Sequence, residues 1–185
     1  VTVLDIHVLG SPVLRQPTVP VAGDTSKLQP LIDDMFATMY AAKGIGLAAP
    51  QVGRRERLVV IDIERNPIVL INPELISSEG SERGEEGCLS MPEIYGDVER
   101  KSTVAVKALD RAGQPFEISA TDLLARCLQH EMDHLHGTMF IDHLSFLKRR
   151  AALSKWEKER EKYPNALRKL SAEEIASHHR TDGEL

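Results

Sequence analysis

Apolar residues recur along the chain with two periods, and the periods divide it into elements. Leu28, Leu31, Ile32, Met35, Phe36 and Met39 fall at i, i+3, i+4, i+7, i+8 and i+11, which is one face of a helix. Ser26 and Gln29 form a capping-box pattern ahead of it, and Gly44 offers a stop behind it. Two runs rich in β-branched residues, Leu58–Ile63 and 68–71, predict paired strands with Arg65-Asn66-Pro67 as the turn. Asn72-Pro73 interrupts the second run before Leu75 and Ile76 resume it. Residues 77–87 are rich in Ser, Glu and Gly and predict a surface loop. Runs 104–109 and 116–120 predict a hairpin across Asp110-Arg111-Ala112-Gly113. The helical period returns at Leu124, Cys127, Leu128, Met132 and Leu135, with Ser119 or Thr121 as its cap and Gly137 as its end. In the tail, Leu147, Leu153 and Trp156 predict an amphipathic helix.

Composition narrows the class. A chain of 185 residues, 42% hydrophobic and 28% charged, suits one soluble domain with a sizeable core. The formal net charge of −5 argues against specific DNA binding. No apolar run approaches the roughly 18 residues that span a bilayer, so no membrane partner is expected. Cys88 and Cys127 do not form a secreted disulfide framework, so a reducing, cytoplasmic setting is expected. An organelle form with a removed targeting segment is the alternative.

The second helix carries the chemistry. Gln129-His130-Glu131-Met132-Asp133-His134 contains H-E-x-x-H. Positions i and i+4 share a helix face, so His130 and His134 can offer imidazole nitrogens to one metal ion. Glu131 stands beside the first histidine, better placed as a general base than as a ligand. A third ligand is open. The longer zincin pattern H-E-x-x-H-x-x-G-x-x-H matches through Gly137 but ends on Phe140, which cannot ligate. Glu157, Glu159 and Glu161 sit in a charged stretch that reads as a solvated face. Cys127 and His134 are about 10.5 Å apart along a straight helix, whereas their combined reach to one ion is roughly 10 Å even if collinear. Cys127 therefore reads as a core residue. Cys88 is free of that constraint, although taken alone it reads first as a buried structural thiol.

A glycine-rich stretch, Gly44-Ile45-Gly46-Leu47-Ala48-Ala49-Pro50-Gln51, lacks the G-x-G-x-x-G and G-K-[ST] patterns of phosphate loops. Its small residues allow close backbone approach, and Gln51 contributes an amide with two donors and an acceptor. Together with Glu86-Gly87-Cys88-Leu89-Ser90 and His130-Glu131-Met132-Asp133-His134, in this order, it resembles the three signature motifs of peptide deformylases. The likeness runs from the first helix through Ile141-Asp142-His143-Leu144-Ser145.

The resemblance implies an α+β fold with antiparallel sheets packed around the metal-motif helix. It implies Cys88, His130 and His134 as ligands of one divalent metal, ferrous iron by family habit, with zinc, nickel or cobalt accepted. It makes Glu131 the acid/base, Gln51 and the Leu89 N–H donors to the oxyanion, and Ile45 and Gly46 the border of the bound peptide. Tyr95 and Arg126 fall where family members differ, on the outer substrate groove. The implied reaction removes the formyl group from the N-terminal formyl-methionine of new polypeptides. The rivals are a zincin-type metallopeptidase and a non-catalytic metal- or peptide-binding module. Residues 1–146 are expected as a single catalytic domain and 147–185 as a charged helical extension packed on it. The local basicity of Lys148, Arg149, Arg150, Lys155, Lys158, Arg160 and Lys162 suggests transient ribosome association; ion pairing with interleaved glutamates is the plainer expectation.

Overall fold

The computed structural model describes residues 1–180, with side chains through Ser177; the end of the expected extension, residues 181–185, lies outside the described residues. In chain order the elements are β1 (Ile6–His7), α1 (Gln29–Ala41), β2 (Gly46–Ala48), β3 (Leu58–Ile63), β4 (Asn66–Glu79), β5 (Glu82–Cys88), β6 (Met91–Arg100), β7 (Thr103–Leu109), β8 (Pro115–Thr121), α2 (Asp122–His134), α3 (Phe146–Glu159), β9 (Leu167–Arg168) and α4 (Ala172–Arg180). Five strands form an antiparallel sheet in the order β2-β3-β4-β7-β8; β5 pairs with β6, and β1 with β9. The fold is α+β, as the resemblance implies.

Strand β3 shows why the sheet sits between two helices. Its residues alternate sides. Val59 and Ile61 join Ala125, Leu128 and Leu135 beneath α2. Leu58 and Val60 join Leu31, Ile32, Met35 and Met39 beneath α1. Both faces are buried, so the run is continuously apolar rather than alternating. A third cluster holds β6 through Met91, Ile94 and Val98 against Phe140, Ile141 and the buried Trp156 of α3. The Trp156 indole donates to the Leu9 carbonyl at 3.2 Å, which ties α3 to the N-terminal segment.

Several local expectations move. The β3–β4 turn is Glu64-Arg65, both with φ near +60°, and Ile63 pairs directly with Asn66. This is a two-residue turn whose twist matches the strands. Ser26 caps no α-helix; it bonds Asp24, while the Gln29 amide donates to the Thr25 and Arg111 carbonyls. Helix α1 ends at Ala41, three residues before Gly44, with Lys43 in the left-handed conformation and the Gly44 N–H reaching the Met39 carbonyl at 2.9 Å. Thr121 precedes α2 but makes no side-chain cap, whereas Gly137, at φ +77°, ends the turn beyond it.

The expected loop at 77–87 is instead strand: the end of β4 pairs with β7, and β5 pairs with β6 from Glu82↔Arg100 to Gly87↔Tyr95. Its polar composition reflects exposure, since one face of β5 meets water. Arg126 of α2 supplies what a third strand would have. Its guanidinium donates to the Glu82 and Val98 carbonyls at 2.9 and 2.8 Å, satisfying backbone acceptors that flank the hairpin.

Candidate metal centre

Helix α2 presents His130 and His134 one turn apart, both buried, with rings edge-on at 5.1 Å between centroids. The β5–β6 hairpin brings in the third donor. Its pairing slips between Gly87 and Cys88 so that Cys88 lies opposite Met91, closing a tight turn at Leu89 and Ser90. Cys88 Sγ then lies 3.4 Å from His134 Nε2. One donor atom from each of Cys88, His130 and His134 lies within 4.8 Å of the others. Donors bound at about 2.1–2.3 Å to one ion stand roughly 3.5 Å apart, so this set fits a metal without rearrangement of the fold.

Glu86 fixes the first histidine. Its Oε1 lies 2.9 Å from His130 Nδ1, which directs the proton to Nδ1 and leaves the Nε2 lone pair for a metal. Glu86 is itself buried and accepts from Arg100 (2.8 and 2.9 Å) and from Arg126 (2.8 Å). Burial alone would raise its pKa, but Arg100 and His130 hold the carboxyl far below the usual range. Arg100 also donates to Asp133 at 2.6 Å, and Asp133 lies 2.8 Å from His143 Nε2. Nothing in the spacing of Glu86, Arg100 and Asp133 announces this network. Only the position of Glu86, two residues before Cys88, offered a signal.

Glu131 is 4% exposed, and its Oε1 lies 4.0 Å from His130 Nε2. Its Oε2 has no hydrogen-bond partner among the described residues. Burial pushes the carboxyl up to about 7, against the pull of His130. A buried carboxyl of that pKa can exchange a proton near neutrality. Gly46 makes room for it. A Cβ at Gly46 would stand 2.8 Å from both Glu131 Oε1 and Cys127 Sγ.

The other expected site residues fall into two groups. Ile45, Gly46, Leu89, Tyr95 and Arg126 line a groove of about 400 Å³ together with Cys88, His130 and Glu131. Gln51 and His134 lie behind its surface. The Gln51 amide is oriented by its own bonds: Oε1 accepts from the Ala48 N–H at 2.9 Å, so Nε2 points to Ser90 Oγ (3.1 Å) and Cys88 Sγ (3.7 Å). Cys127 is 5% exposed and lies outside the donor cluster; burial pushes its thiol well up. Phe140, at the third-ligand position of the longer zincin pattern, stacks on the His130 ring at 6.2 Å. Glu157 and Glu159 pair with Arg160 and Lys162, and among the described residues neither they nor Glu161 belong to the donor cluster.

A family model described as polypeptide deformylase matches residues 3–150. The peptide deformylase of Hydrogenovibrio crunogenus is 50% identical over 166 residues, spanning 88% of this chain and 98% of that protein. The crystal structure of a peptide deformylase from Legionella pneumophila aligns with a TM-score of 0.84 at 49% identity, covering 89% of this chain and 99% of that one. One from Synechococcus elongatus, in complex with actinonin, gives 0.79 at 48% identity over 82% and 86% of the two chains. A family match across most of the sequence, joined to near-complete coverage of relatives half identical to it, establishes that this chain belongs to the polypeptide deformylase family.

Proposed function

We propose that Cys88, His130 and His134 hold one divalent metal ion at the heart of the family's reaction. The enzyme is a metal-dependent hydrolase that removes the N-formyl group from the N-terminal formyl-methionine of newly made polypeptides and releases formate. The observation that carries the site assignment is the convergence of three donor atoms within 4.8 Å from two separate elements. A thiolate and two imidazoles suit Fe²⁺, Zn²⁺, Ni²⁺ or Co²⁺, and ferrous iron is the one proposed as native, on family habit. Bound there, the ion would supply Lewis acidity toward the formyl oxygen and an acidified water.

The chain's own groups do the rest. Glu131 takes a proton from the attacking water at its carboxylate and returns it to the departing amine, which must leave protonated. Its buried Oε2, without a hydrogen-bond partner among the described residues, is where that proton is held. Gln51 Nε2 and the Leu89 N–H donate to the formyl oxygen as it gains charge. The Ala48 bond to Gln51 Oε1 keeps the amide from flipping, so the donor end stays toward Cys88. Ile45 and Gly46 border the peptide, with Tyr95 and Arg126 farther out along the groove.

Residues 1–146 act as the catalytic domain and the chain from 147 on as its charged extension; the burial of Trp156 supports packing of α3 on that domain. A cytoplasmic location follows from the substrate, which appears where chains are made, and no described helix is long and apolar enough to cross a membrane. Transient ribosome association is the role assigned to the basic face of α3. Arg149 pairs with Asp142, and Lys155 donates to the Glu93 carbonyl. Reversal of Lys148, Arg150 and Lys158 is therefore the cleaner substitution for co-sedimentation with ribosomes.

Formate release from a formyl-methionyl peptide by metal-loaded protein tests the reaction. Metal content tests the ligands: Cys88→Ala should lose most bound metal, and Cys127→Ser should keep it. Equal metal in both proteins would remove Cys88 from the set.

A further inference from the structure

Among the described residues that line the groove, Arg168 alone comes from beyond residue 150, past the stretch matched by the family description. Strand β9 carries it there. Arg168 pairs with Ile6 of β1, and the Val8 N–H bonds the Ala166 carbonyl at 3.0 Å, so the backbone beneath the side chain is held. The guanidinium is held less firmly. One nitrogen stands 3.4 Å from the Leu89 carbonyl and another 3.5 Å from Glu174 Oε2 on α4, both at the long limit of a hydrogen bond. Five N–H donors thus meet two distant acceptors among the described residues, one of them on the residue that follows Cys88.

The other groove arginine differs. Arg126 is bonded to the Glu86 carboxylate and to backbone carbonyls of the hairpin, which leaves it no charge to offer. The acids of the groove rim, Glu85 and Glu93, belong to the β5–β6 hairpin, whereas the exposed Lys43, just beyond α1, adds another cation to the half-buried Arg168. A peptide whose formyl carbon sits at Cys88 carries its second and third residues roughly 7–10 Å away, at about 3.5 Å per extended residue. A long guanidinium standing on the Leu89 carbonyl covers that range.

We propose that Arg168 is a specificity-determining residue that binds a carboxylate side chain at the second or third position of the formylated peptide. The inference rests on the deformylase reading of this groove. Glu174 is the internal competitor: it occupies one side of the guanidinium until a substrate carboxylate replaces it.

The test compares kcat/KM for formyl-Met-Glu-Ala and formyl-Met-Ala-Glu with their Gln counterparts, all amidated at the C-terminus so that only the side-chain charge differs. The intact enzyme should favour Glu by about fivefold at one of the two positions. The preference should appear in KM, and it should shrink as salt rises. Arg168→Ala should bring the ratio to one, Arg168→Lys should keep part of it, and Arg168→Glu should invert it. Glu174→Gln should enlarge it. A ratio near one in the unaltered enzyme, or an unchanged ratio in Arg168→Ala, overturns the assignment. Formate from every peptide without discrimination strikes this inference alone; formate from none strikes the deformylase reading and this inference with it.

Discussion

Helix α2 and the β5–β6 hairpin deliver donors to one place by different routes. The helix does it locally: His130 and His134 share a face because 3.6 residues make a turn, and nothing outside α2 is needed to bring them together. The hairpin does it through distant contacts. Cys88 points inward because the strand register slips at Gly87, and the hairpin is fastened to the helix by Arg126 and by Glu86. A ligand pair inside one helix survives local loosening. A ligand on a two-stranded hairpin depends on the side chains that hold the hairpin down.

Four substitutions would break or sharpen this contrast. The largest effect is expected for Glu131→Gln, which leaves both delivery routes intact. Metal content should stay near normal while turnover falls by about 10²–10⁴, measured as formate release from metal-replete protein; near-normal turnover would take Glu131 out of the chemistry. Glu86→Gln cuts the link between the two elements. It should weaken metal affinity by about 10–100-fold in a chelator competition, because His130 loses its carboxylate partner and Arg126 its counter-charge, while Arg100 keeps only Asp133. Unchanged affinity would mean that the helix alone orients His130.

Arg126→Ala attacks only the hairpin's fastening. It should cost about 2 kcal/mol, and amide hydrogen exchange should quicken in β5 and β6 while α2 stays protected. Uniform change across both elements would erase the distinction. The smallest effect is expected at Asp142, beyond the helix. Burial would raise its pKa, yet its bonds to Arg15, at 2.6 and 3.2 Å, hold it below the ordinary value. A depressed carboxyl contributes stability that is present above its unfolded pKa, near 3.9, and is lost as pH falls through the folded value. Asp142→Asn should therefore cost about 1 kcal/mol at neutral pH, the pair being partly exposed, and flatten the acid limb of the denaturation curve below about pH 4. A limb of unchanged slope would discount the Arg15 pair.

The same contrast governs what could be read in advance. The periods at 28–39 and 124–135 belong to helices that bury one face, so their apolar stripes are written in order along the chain. The β-branched run Leu58–Ile63 likewise announced a strand, and its burial on both faces emerges only with the packing of α1 and α2. Strand β5 was illegible because its composition, Glu-Arg-Gly-Glu-Glu-Gly-Cys, is that of a loop, and the partners that make it a strand lie in β6 and α2. The β3–β4 turn starts one residue earlier than Arg65-Asn66-Pro67 and ends two earlier, because Pro67 is the usual turn signal there and neither Glu64 nor Arg65 is a usual left-handed residue. At the site, the histidine pair and Glu131 declared themselves by spacing. Cys88 needed the family likeness, since a lone cysteine after a glycine has no spacing to read. Arg100 and Asp133 were not read at all, because the carboxylate that joins them to His130 lies 44 residues from it in the chain.

Strand β2 lies at the edge of the five-stranded sheet, with β3 as its one partner among the described residues, and its first residue, Gly46, lines the groove with the preceding Ile45. An edge strand offers main-chain donors and acceptors in a repeating row. Every polypeptide, whatever its side chains, carries the complementary row. A processing enzyme that must meet the whole output of translation gains from such generic recognition, because affinity drawn from main chain is shared by all clients. Side-chain choices then act only as modest tuning laid over it.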